Sequence, residues 1–197
     1  MSPQEVKQKA AQVNEISLDY HLSHAVFACN KIVEDVFKQY SEGKVDNLNK
    51  ALQKAREYND EKKVSEIKID IERLRRPFRI YIEYVPDMDI KGGRVIKLPL
   101  SNQFVISLPG DLLLQSRNND GSYNIDGVKA LRHRMAHELG HIALHIEDLL
   151  EINSRQGAKL LSEEAEKEAD IFATELIKLR HQRNEQIYKT GVYKEAF

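Results

Sequence analysis

Apolar and polar positions follow two rhythms along this chain, and the changes between them divide it. Up to about residue 40, Ile16, Tyr20, Phe27 (or Val26), Ala28, Ile32, Val36 and Phe37 recur near helical period. "SEGK" at 41–44 is a turn signal. Residues 45–75 carry many charges and few apolar positions, the pattern of one or two solvated surface helices broken near "NDEKK". At Pro77 the period falls to two. "FRIYIEYV" (78–85) sets Phe78, Ile80, Ile82 and Tyr84 against Arg79, Tyr81, Glu83 and Val85, a strand pattern. "PDMDIKGG" is a turn, and "RVIKLPL" and "NQFVISLP" read as two more short strands joined at Ser101-Asn102. Pro99 pushes the first of these toward a sheet edge.

The loop at 116–127, "SRNNDGSYNIDG", imitates a calcium loop. Ile125 and Leu131 stand where that motif requires glycine and glutamate, so it is read as a plain loop whose Asp126 caps the next helix. Helical period then returns over 127–150 and again over 158–180. The predicted class is α+β: mostly helical, with a small three-stranded antiparallel or mixed sheet beside two helices. Residues 1–76 form an N-terminal helical extension, 77–180 the core, and 181–197 a tail without assignment.

The chemistry sits on the first of those two helices. Val128, Leu131, Met135, Leu139, Ile142 and Ile146 make an apolar stripe that must face a core. His137 and His141 lie about 200° around from Met135 and Leu139, at 100° per residue. Four residues apart, the two imidazoles stack one turn above the other and can reach a single ion. Glu138 lies beside them, placed to take a proton from an activated water without occupying a ligand position. Gly140 on this face implies close approach by another element, a strand or a substrate, or else a tolerated surface glycine.

Histidines in fact recur at 133, 137, 141 and 145. Only the 137/141 pair has a glutamate directly after its first member, so His133 and His145 are read as polar neighbours, His145 as a group supporting the ligands. A third histidine of the metzincin kind would fall at position 147, which is Glu147. The third ligand therefore comes from "SEEAEKEADIFATELI". With Glu166 at 0° on the helical wheel, the apolar residues span an arc that Glu166 and Asp170 border from one side and Glu168 from the other. Glu166 is the expected third ligand, Glu168 the fallback, and Asp170 the carboxylate that holds a histidine's second nitrogen.

Composition narrows the partners. Net charge is −1 with 30 basic and 31 acidic residues interspersed, so no basic field argues for nucleic acid or an anionic membrane. The single cysteine, Cys29, excludes an internal disulfide framework and a multi-thiolate zinc site, and its apolar setting predicts a buried residue. No segment approaches the roughly 18 apolar residues that span a bilayer, and the N-terminus lacks an apolar export signal. A cytoplasmic location is expected.

"HELGHIALH" followed about twenty residues later by "EKEADIFATELI" resembles the ImmA/IrrE family of zinc metallopeptidases, over roughly residues 78–180. The resemblance implies zinc on His137, His141 and a glutamate of the second helix, with Glu138 as general base. It implies a gluzincin-like, zincin-type core and a protein or peptide substrate, with helix-turn-helix repressors among the family's targets. The chain departs from the family pattern at "LIKLRHQR", where a Leu-Met-Pro-like segment commonly ends the second helix. The alternative is a zinc-stabilised binding module without turnover, which would have no use for Glu138.

Overall fold

The computed structural model describes residues 1–16, 22–89, 92–98, 102–122, 124–151 and 162–190. Pro99, Ser101, residues 158–161 and residues 191–197 lie outside the described residues, as do the side chains of 16–33, Cys29 among them. The described chain is α+β, with six helices and a three-stranded mixed sheet.

Helix α1 (Pro3–Ile16) starts on a capping box. Glu5 Oε2 accepts from the Ser2 backbone N–H at 2.7 Å, while Ser2 Oγ faces the Glu5 N–H at 3.4 Å. Its Val6, Ala10 and Val13, spaced four and three apart, are fully buried. They join the same hydrophobic cluster as the two metal-motif helices, so the segment expected as an extension builds part of the main core.

Helix α2 (Leu22–Glu57) runs unbroken through "SEGK", where a turn was expected. Gly43 there faces open space, and its cost of about 1 kcal/mol is outweighed by the packing on either side of it. Phe37 enters the main core, and Ala55 packs with Ile67 and Ile71 of α3 (Glu61–Leu74) in a satellite cluster. The break falls where "NDEKK" foretold it. Asn59 takes a left-handed φ of 54°, and Asp60 Oδ1 accepts from the Lys63 N–H at 3.0 Å to open α3.

In the sheet, β3 (Gln103–Pro109) is central. It pairs parallel with β1 (Arg79–Val85) and antiparallel with β2 (Arg94–Lys97). Phe104, Ile106 and Leu108 are fully buried, and Phe104 continues an aromatic row through Phe78 to Phe37 with centroids 5.2 and 5.7 Å apart. Asn102 fastens the end of α3 to the start of β3, its Nδ2 donating to the carbonyls of Arg73 and Arg76 at 2.8 and 2.7 Å.

After α4 (Gly110–Gln115) the chain turns into α5 (Ile125–Glu151). A Cβ on Gly127 would overlap the Gln115 carbonyl, so glycine is what lets α5 start so close to α4. The cap of α5 is Asn124, not Asp126. Asn124 Oδ1 faces the N–H groups of Asp126 and Gly127 at 3.2 and 3.5 Å, whereas Asp126 already lies inside the helix. Helix α6 (Glu163–Thr190) opens on Ser162, whose Oγ accepts from the Ala165 N–H at 3.2 Å. It continues ten residues beyond the expected end at 180 and lies along α5 and α1.

Candidate metal centre

The apolar stripe of α5 meets the core over most of its length: Met135, Leu139, Ile142 and Ile146 are buried, Leu131 packs half-buried against them, and Val128 is half-buried outside that cluster. Its polar face is not open. Every residue from 135 to 143 is buried, because α6 covers the imidazole side. Gly140 makes this possible. A Cβ there would stand 3.1 Å from both Ala169 Cα and Phe172 Cδ1, so the neighbour that the glycine admits is α6 rather than a strand or substrate.

That close crossing brings three ligand groups together. His137, His141 and Glu166 each offer one atom within 4.8 Å of the others. His137 Nε2 lies 3.1 Å from His141 Nε2 and 3.1 Å from Glu166 Oε2, and His141 Nε2 lies 3.4 Å from Glu166 Oε1. A tetrahedral ion with bonds of about 2.0–2.1 Å needs ligand atoms about 3.3–3.4 Å apart. The two ring nitrogens are within a few tenths of an ångström of that spacing, and each faces a different oxygen of the Glu166 carboxylate. Two ring nitrogens facing each other across 3.1 Å, beside a carboxylate, also form the donor set that a cation satisfies. The group can hold a metal ion.

Its supports are visible too. His137 Nδ1–H donates to Asp170 Oδ1 at 2.7 Å, which leaves the Nε2 lone pair for the ion. Asp170 therefore stands at the second nitrogen of His137. Burial, reinforced by the nearby His137 and His145 charges and opposed by Asp170, pushes His141 down to about 3. It stays neutral through the physiological range, as a metal ligand must. Its Nδ1 is buried without a hydrogen-bond partner among the described residues.

Glu138 is 3 % exposed, like His137 and His141 at 5 and 3 %, whereas the Glu166 side chain is 54 % exposed. Burial pushes the Glu138 carboxyl up to about 8, with Arg134 partly opposing and Glu166 adding to the rise. A cation held next door would lower it again by direct charge attraction.

Glu168 does not enter the cluster. It is buried on the other side of α6, where it accepts from the Met1 amine and lies 3.4 Å from His145 Nε2. His145 stands beside His141 with ring centroids 6.1 Å apart, but its Nε2 faces Glu168 instead of the ligand atoms. The helix bends at this residue, whose φ of −123° and ψ of 29° are not helical. His133 is exposed.

Two contributors were not foreseen. Ala169 supplies the small surface against Gly140, and Gly93 comes down on Glu138. Ala169 had only its place in the apolar arc as a signal. "GG" at 92–93 reads as a turn and says nothing of where the turn lands.

Comparison with protein-family models, with curated proteins and with solved structures finds no match to this chain. Among the described residues no helix is long and apolar enough to cross a membrane.

Proposed function

We propose that this chain is a zinc-dependent endopeptidase of the ImmA/IrrE type, acting in the cytoplasm on a protein or peptide substrate. The observation that carries the reading is the pairing of a two-histidine, one-carboxylate donor set with a buried carboxylate, Glu138, that is not part of it. A site built only for structure has no need of that fourth group.

His137, His141 and Glu166 hold the ion, and two imidazoles with one carboxylate suit zinc and leave a fourth position open. When bound, zinc supplies Lewis acidity toward a peptide carbonyl and toward water. Asp170 keeps His137 in the Nδ1–H tautomer that presents Nε2. Glu138 takes one proton from the attacking water as the oxygen–carbon bond forms, and returns it to the amine nitrogen as the carbon–nitrogen bond breaks. A helix-turn-helix repressor is the substrate class that the resemblance of the motifs favours.

Glu138→Gln tests the reading. The variant should bind zinc as the wild type does and lose peptidase activity by at least about 100-fold, in line with the loss of a general base. Equal proteolysis by the two proteins, or native purification of the wild type without metal, would sink the proposal.

A further inference from the structure

Gly93 lies just before β2, next to Gly92, whose N–H donates to the Asp89 carbonyl at 2.6 Å. A Cβ built on Gly93 would overlap Glu138 Oε1 and stand 2.7 Å from Arg134 Cδ and 3.1 Å from Glu138 Cδ. No other glycine among the described residues brings its Cα against a carboxylate oxygen. The need is not conformational. Among the described glycines only Gly121 has a positive φ, so the Gly93 backbone has a shape that alanine also adopts. A side chain at 93 would have to displace the ends of Glu138 and Arg134, which fill that space.

Glu138 is held from two sides. Helix α5 fixes its backbone, and the Gly93 backbone closes over the carboxylate, which leaves it 3 % exposed on a face that also carries the ligands. A glutamate side chain has three rotatable bonds, and an unconfined one would spread over several rotamers. General-base catalysis needs one of them, because proton transfer requires hydrogen-bond reach of the water.

We propose that Gly93 is a positioning residue for Glu138: its bare backbone is the stop against which the base is seated. The inference rests on the peptidase reading for its catalytic consequence, but the seating itself is a packing relation that holds without turnover.

Gly93→Ala and Glu138→Asp, alone and combined, test both halves. Aspartate withdraws the carboxylate by one methylene and frees the space that the new methyl takes. With zinc bound at wild-type stoichiometry, Gly93→Ala should lower kcat at least tenfold and change KM by less than about twofold. In the Glu138→Asp background the same substitution should change kcat by less than about threefold. Independently of activity, Gly93→Ala should lower Tm by several degrees in the wild-type background and by less than half as much in the Glu138→Asp background. A Gly93→Ala protein with full kcat and Tm, or Tm losses equal in the two backgrounds, overturns the seating. Coupled Tm losses in a protein that cleaves nothing would uphold the seating and remove the peptidase reading.

Discussion

Asp170 and Glu168 sit two residues apart on α6 yet serve different histidines. Asp170 Oδ1 is 2.7 Å from His137 Nδ1, on the metal side, while Glu168 Oε2 is 3.4 Å from His145 Nε2, on the far side. Glu166 shares the metal side with Asp170 because four residues return a helix to nearly the same face. The three carboxylates should therefore separate cleanly in metal affinity. Glu166→Gln removes a ligand and should weaken zinc binding more than about 100-fold, and Asp170→Asn about 10- to 100-fold, the range seen when the partner of a ligating histidine is lost. Glu168→Gln should stay within about threefold of wild type. Competition with a chromophoric chelator measures all three, and a Glu168→Gln protein as weak as Glu166→Gln would reverse the assignment.

The same residues give the metal-stripped protein a pH dependence. Glu138, raised from 4.5 to about 8, keeps its proton on folding, so its contribution is complete below pH 4.5 and is lost as pH rises to about 8. His141, lowered from 6.5 to about 3, acts in the opposite sense: its contribution is complete above 6.5 and is lost as pH falls toward 3. The two oppose each other below 6.5, and above it only Glu138 still changes. With chelator present, unfolding free energy should fall between pH 6.5 and 8, by at most about 1.4 kcal/mol per pH unit for one proton. Glu138→Gln should flatten that slope, and denaturant titrations at three pH values would show it.

Among the elements, those whose pattern is local were legible and those set by distant packing were not. The stripe from Val128 to Ile146 and the i, i+4 pairs 137/141 and 166/170 depend only on the angle between neighbours on a helix, so the sequence carries them. The break at Asn59-Asp60 was legible for the same reason, since both its left-handed residue and its cap are local. By contrast, the run of α2 through Gly43 depends on flanking core contacts at Phe37 and Ala55 that no window around "SEGK" contains. The parallel pairing of β1 with β3 requires β2 to fold back to the outer edge of β3, a choice that alternation cannot express. Asn124 and Asp126 are equally good caps by type, and the close approach of Gly127 to Gln115 decides between them.

Gly140 is the place where this element-level packing meets the site. Alanine there would regain about 1 kcal/mol of helix propensity, which offsets part of its clash with Ala169. Valine adds bulk that neither Ala169 Cα nor the buried Phe172 ring can yield to. Gly140→Val should cost about 2 kcal/mol, within the range for overpacked cores, and weaken zinc binding as well by spreading His137 and His141 from Glu166. Thermal unfolding and chelator competition on the same variant would check both, and a stable variant with unchanged affinity would contradict the close-crossing account.

At the scale of the whole molecule, an ion held by His137, His141 and Glu166 would join two of the six described helices, and the rest of the described structure is closed without it. Val6, Ala10 and Val13 of α1 press on α6, Arg183 Nη1 donates to the Asn14 carbonyl at 2.6 Å, and Phe104, Leu139, Phe172 and Leu176 share one core. Removing zinc should therefore lower stability without unfolding the chain, unlike a small zinc finger whose core is the metal itself. At free zinc about 1,000 times Kd, the linkage is about 4 kcal/mol. For a chain of this length each kcal/mol moves Tm by about 2–4 °C, so chelation should lower Tm by about 8–16 °C with the helical circular dichroism intact at 25 °C. Glu138→Gln should show the same shift because it holds no ion, whereas Glu166→Gln, at least about 100-fold weaker, should keep at most about 1.4 kcal/mol of it, or about 3–6 °C. Collapse of the helical signal on chelation would mean that the metal holds up the fold, and would count against reading the site as built for chemistry.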